Sequence, residues 1–144
     1  MVSCDKDENV KLSDAGYLVF GHFYGECVGE RCVEIFRLEK DKLFEDTEDQ
    51  YPYGAGFYAG NFVQLSAQKF DGAKDLVNYF PAELLNEPDN IIGLPDAGDW
   101  GGLYIEYNYN GIRKRWLLDQ MKSNVPEKYH SFIDKVNEKI AQLQ

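Results

Sequence analysis

The chain has 144 residues, 44% of them hydrophobic and 28% charged, which suits one globular domain with its own core. Its net charge of −10 speaks against nucleic-acid binding, which needs a basic face. No apolar run approaches the length of a membrane-spanning helix. The acidic excess lies in residues 1–100 and reads as a solvating surface, whereas residues 101–144 are slightly basic.

At the start of the chain, Val2-Ser3-Cys4 has an apolar residue, a small residue and then a cysteine, and the charged run Asp5-Lys6-Asp7-Glu8 follows. This segment resembles the lipobox end and acidic sorting signal of small bacterial lipoprotein domains. The resemblance implies a lipid on Cys4 and attachment to the outer membrane of the cell envelope, with a surface-exposed placement open. It also implies a tether over residues 1–13, ahead of a single domain over 14–144. A multi-chain lipid anchor holds a protein to the membrane without any spanning helix. The alternative is a cysteine near the start of the chain with no such role. If Cys4 carries the lipid, Cys27 and Cys32 remain as an even pair, expected to form a disulfide in an exported protein. A redox-active dithiol is the alternative, but the C-x4-C spacing is not the C-x-x-C form that lowers a thiol pKa.

Residues 16–24 (GYLVFGHFY) alternate as a strand with both faces apolar, so the strand should be central or covered on both sides. Gly21 marks a bulge or close packing, and His22 reads as a packed, hydrogen-bonded histidine. Residues 32–38 form a second strand and 42–46 a short third one, in an ordinary edge hairpin. Residues 46–61 (DTEDQYPYGAGFYAGN) have no period and should be a loop, carrying Tyr51, Tyr53, Phe57 and Tyr58. Those rings either close one end of the core or stand as a ligand-binding platform.

Residues 62–65 read as a short strand. Ser66 should cap a helix whose apolar positions are Phe70, Ala73, Leu76, Val77 and Phe80, with Pro81 ending it. Residues 87–102 form a second loop, rich in Pro, Asp and Gly. Asp89, Asp96 and Asp99 are weak calcium candidates there, without EF-hand spacing. Trp100, flanked by glycines, either stands exposed or covers a neighbouring loop. Asn110-Gly111 predicts a tight hairpin pairing Tyr109 with Ile112, Tyr107 with Lys114, Ile105 with Trp116 and Leu103 with Leu118. Its other face pairs Tyr104 with Leu117 and Glu106 with Arg115, an opposite-charge contact. A final helix after Pro126 presents Tyr129, Phe132, Ile133, Val136, Ile140 and Leu143 as one apolar stripe; Glu127, Lys128, Asp134, Lys135, Glu138 and Lys139 should face water.

Runs of strands with few helices predict an α+β fold: an antiparallel sheet of about five to six strands with two helices packed on one face. No motif specifies a reaction, no catalytic residue stands out, and no cofactor is expected. The expected function is a non-enzymatic extracytoplasmic binding domain for a protein, peptide or glycan, with Tyr51, Tyr53, Phe57, Tyr58 and Trp100 as candidate contacts. The alternatives are an extracytoplasmic enzyme or thiol-redox protein using His22 and the cysteine pair, and an inhibitor or immunity-like protein.

Overall fold

Large apolar residues on both parities commit the first two stretches to strands buried on two sides: β1, Tyr17–Phe23, and β2, Val33–Glu39. They pair antiparallel along their whole length, from Tyr17 opposite Glu39 to Phe23 opposite Val33. Next come β3, Leu43–Asp46, β4, Phe62–Gln64, and a two-residue β5, Ile91–Ile92. The hairpin strands are β6, Gly102–Tyr109, and β7, Ile112–Asp119. The two helices are α1, Ala67–Ala73, and α2, His130–Leu143. The computed structural model describes Leu12 and residues 16–52, 54 and 56–144; Cys4 and Tyr53 lie outside the described residues.

The fold is α+β, with one open seven-stranded sheet in the order β4-β3-β2-β1-β6-β7-β5. All neighbours are antiparallel except β5, which runs parallel to β7. The strand count exceeds the five to six expected. β5 is the surplus: two residues inside a Pro/Asp/Gly loop are too short to show a period. It is held by ladder pairing and by Leu117 N donating to Asn90 O at 2.9 Å. β3 is not the sheet edge, because β4 covers it. The predicted hairpin register is the observed one, pair for pair.

β1 lies at the centre, and both its faces are used. Leu18 and Phe20, with Phe36, Leu38, Ile105, Trp116 and Leu118, pack against the helices in the larger cluster. All six residues of the predicted α2 stripe are buried in it. Leu12, within the stretch expected as a tether, packs half-buried against the same cluster. On the opposite face Val19, Phe23, Val33, Ile35, Tyr104 and Leu117 form a second cluster, covered in part by Tyr58 and Phe62.

Two local expectations need correction. Ser66 Oγ accepts from Lys69 N at 3.2 Å as a cap should, but the α-helix stops at Ala73 and continues as a 3₁₀ turn over Lys74–Tyr79. Ala73 and Leu76 are buried at a spacing of three, the 3₁₀ repeat. Lys139 does not face water: its ammonium sits 2.7 Å from Asp75 and donates to the Gly72 carbonyl, bolting α2 to the end of α1. Among the described residues no helix is long and apolar enough to cross a membrane.

Gly21 continues the ladder without a bulge; a Cβ there would lie 2.3 Å from the Glu34 carbonyl oxygen and 2.7 Å from Ile35 Cγ1. Since neither the backbone nor a packed core side chain can yield cheaply, Gly21→Ala should lower unfolding free energy by about 2 kcal/mol or more. Urea denaturation measures this, and a neutral substitution would show that β1 and β2 are not held this closely.

Candidate functional site

The described residues of 47–61 contain no helix or strand, so their placement leans on side chains reaching back to the sheet. Asp46, at the end of β3 and 2% exposed, does most of this. It accepts hydrogen bonds from Tyr58 OH at 2.6 Å, Asp49 N at 2.8 Å and Asn61 N at 2.7 Å. Tyr58 is thereby fixed, and its own backbone N donates to Tyr104 OH at 2.8 Å. Tyr104 OH in turn donates to Glu106 Oε1 at 2.7 Å. Burial raises the pKa of both phenols, with the Asp46 and Glu106 carboxylates adding to it, so both remain protonated donors.

Tyr51 OH donates to Asp96 Oδ2 at 2.7 Å, and its ring meets Phe23 edge-on at 5.0 Å. Asp96 also accepts from Gly25 N at 2.9 Å and Gly101 N at 2.8 Å, joining three separate loops at one carboxylate. Phe57 is held from the hairpin: the Arg113 guanidinium stacks on its ring at 3.9 Å, and Arg113 Nε donates to Glu106 Oε2 at 2.8 Å. Thus the ion pair at Glu106 includes Arg113, two residues from the expected partner, because residues 113 and 115 share a strand face and Arg113 can also cover Phe57. Arg115 is buried and donates to the Gly54 carbonyl.

Tyr51 and Phe57 are 38% and 41% exposed, and with Tyr58 they wall a cleft of about 220 Å³. Phe57 also forms one wall of a second cleft, of about 420 Å³, whose lining includes Glu87, Asp89, Lys114 and Arg115. The result is a surface with two exposed rings and charges of both signs. Such a surface can stack a flat apolar ring face or a side chain while satisfying hydroxyls and amides around it. The basic hairpin residues and Glu87 had no sequence signal for a site; only the hairpin register brings Arg113 and Arg115 near the loop.

Trp100 does not join these clefts. Its ring folds over Gly98, where a Cβ would come within 2.2 Å of the indole, and Nε1 donates to Asp119 Oδ1 at 2.6 Å. Tyr53 lies outside the described residues. The calcium candidates are not brought together as a ligand set: Asp96 spends its oxygens on the loop donors above, and Asp89 and Asp99 are exposed. Among the described residues, the carboxylates that the fold does converge are Glu30, Glu34 and Asp49.

Cys27 and Cys32 are joined in a disulfide, closing the β1–β2 loop. Beside it, His22 Nε2 is 2.9 Å from the Arg31 carbonyl and its ring meets Tyr24 edge-on. His22 is therefore the packed, hydrogen-bonded histidine expected, and burial lowers its pKa below 6.5. Compared with known protein families and characterised proteins, the chain matches none.

Asp46→Ala removes the acceptor of three donors and should cost about 2–4 kcal/mol. Hydrogen exchange should then speed up at Asp49 and Asn61; unchanged protection there would contradict the anchoring role. His22 generates a second expectation. Its folded pKa lies below the unfolded value, so its contribution to stability is complete above pH 6.5 and declines as pH falls below that value. Proton NMR of the imidazole should give a midpoint below 6.5, and a midpoint at or above it would refute burial as the dominant influence.

Proposed function

We propose that this is a non-enzymatic, extracytoplasmic, lipid-anchored binding domain whose ligand, a glycan or a peptide, docks across Phe57 and Tyr51. The observation that carries the reading is the exposure of these two rings, each held by a polar partner. A loop without secondary structure would ordinarily turn its aromatics inward to bury them. Here Tyr58 turns inward, while Tyr51 and Phe57 are pinned outward by Asp96 and Arg113. Rings fixed before binding lose little conformational entropy when a ligand arrives, which is what makes aromatic anchors effective.

The charged groups around the rings suit a polar ligand. Glu87, Asp89, Lys114 and Arg115 line the larger cleft, and Glu48 and Gln50 the smaller. Together they offer donors and acceptors for hydroxyl or amide groups but no concentrated basic patch. The extracytoplasmic placement is supported by the Cys27–Cys32 disulfide, which persists best in oxidising compartments, and by the lipobox-like Val2-Ser3-Cys4. Lipidation of Cys4 would restrict the domain to a membrane surface and its ligands to those within reach of it.

Screening against glycan and peptide arrays, followed by NMR mapping of the best binder, tests the reading. Perturbed resonances should centre on Tyr51 and Phe57, and Phe57→Ala should weaken binding by roughly tenfold or more without lowering thermal stability appreciably. Binding that maps to the disulfide loop instead, or that survives Phe57→Ala at full strength, would overturn it.

A further inference from the structure

Among the described residues four carboxylates are buried: Glu34, Asp46, Glu106 and Asp119, each 3% exposed or less. Three are saturated with donors. Asp46 and Glu106 take the contacts described above, and Asp119 accepts from Trp100 Nε1, Met121 N, Leu94 N and Asn124 Nδ2, all within 2.9 Å. Glu34 is the exception. Among the described residues its Oε2 accepts only a long bond, 3.4 Å, from Gln144 Nε2, and its buried Oε1 has no donor. Among the described residues the only other buried carboxylate oxygen without a donor is Oδ1 of Asp49. Both orphaned oxygens belong to the same cluster, in which one carboxylate oxygen from each of Glu30, Glu34 and Asp49 lies within 4.8 Å of the others.

We propose that Glu30, Glu34 and Asp49 form a binding site for a divalent, oxygen-preferring cation of the calcium type. The spacing fits: two oxygens sharing one Ca²⁺ at about 2.3–2.6 Å are at most about 5 Å apart. The donors are all carboxylate oxygens, which select hard cations over zinc or copper. Three segments supply them: the 3₁₀ turn at Glu30–Cys32, the start of β2, and the loop after β3. Glu30 is exposed and Asp49 half-buried, so an ion can enter from solvent with Glu34 as the floor. The cross-strand neighbour of Glu34 is His22, whose Nε2 is engaged by the Arg31 carbonyl.

The charges around the cluster point the same way. Burial pushes Glu34 up to about 7, with Glu30, Glu45 and Asp49 adding to the effect. Burial and the negative charges of Glu30, Asp46 and Glu45 push Asp49 up to about 6. An ion of charge +2 would relieve both the repulsion and the missing donors, and it would link the disulfide loop to the loop that carries Tyr51 and Phe57. The site is separate from the aromatic clefts, and the proposal does not rest on their having a ligand.

Titration of the full chain with CaCl₂ by calorimetry, after treatment with EDTA and buffer exchange, tests the site. One ion should bind with a dissociation constant of about 10⁻⁴–10⁻³ M, and about 10 mM CaCl₂ should raise the thermal midpoint by roughly 3 °C or more over NaCl of matched ionic strength. Glu34→Gln, and separately Asp49→Asn, should abolish both responses, while Phe57→Ala should leave them intact. The proposal is overturned if the unaltered protein gives neither heat nor a shift with CaCl₂ or MgCl₂. It is equally overturned if both responses persist in a folded Glu34→Gln or Asp49→Asn variant, which would place the ion elsewhere on the acidic surface.

Discussion

Burying a carboxylate requires that its oxygens find donors, and in this protein that requirement is what gives the irregular loops a shape. The two long loops lack a ladder or helix of their own for most of their length, so a few turn hydrogen bonds such as Ala97 N to Leu94 O and Thr47 N to Asn61 O satisfy only part of their backbone. Asp46 gathers the loop after β3 through Tyr58 and two amides. Asp119, at the end of β7, gathers Leu94, Trp100, Met121 and Asn124 from both sides of the hairpin. Asp96, half-buried, joins the disulfide loop, Tyr51 and Gly101. Charge-assisted hydrogen bonds are stronger than neutral ones, and sharing one acceptor among several segments makes their ordering cooperative.

These anchors stand on the sheet, and the sheet fixes where they point. β1 is central and filled on both faces, so no part of the antiparallel ladder can slip by one residue without exchanging a core face for the other. The helices cover one side. The other is covered in part by Phe62 of β4 and by Tyr58, and the loop that carries Tyr58 thus both covers the second cluster and walls the candidate cleft. The two roles fall to different residues: Tyr58 faces in, while Tyr51 and Phe57 face out.

The same demand for donors sets Glu34 apart. It occupies the parity of Phe36 and Leu38 on β2, so it lies on the sheet face that the helices cover, opposite His22 of β1. A buried glutamate on a strand face shared with Phe36 and Leu38, with one oxygen that finds no donor among the described residues, is in local conflict with its own pattern. Conflicts of this kind are commonly retained for function rather than for stability.

The sequence alone determined the local structure wherever a short-range rule was strong. Asn110-Gly111 fixed the hairpin register, Ser66 the start of α1, the three- and four-residue spacing the buried stripe of α2, and the two-sided alternation the central place of β1. It also located both loops and the cysteine pair. Only the tertiary structure decided what met across the chain: β5 joining β7, Lys139 turning in to Asp75, Arg113 stacking on Phe57, Trp100 folding onto Asp119, and Glu30, Glu34 and Asp49 converging. The reason is physical. Period and turn chemistry act between residues a few positions apart, whereas these contacts join segments far apart in the chain, through single polar or aromatic side chains whose partners leave no periodic trace.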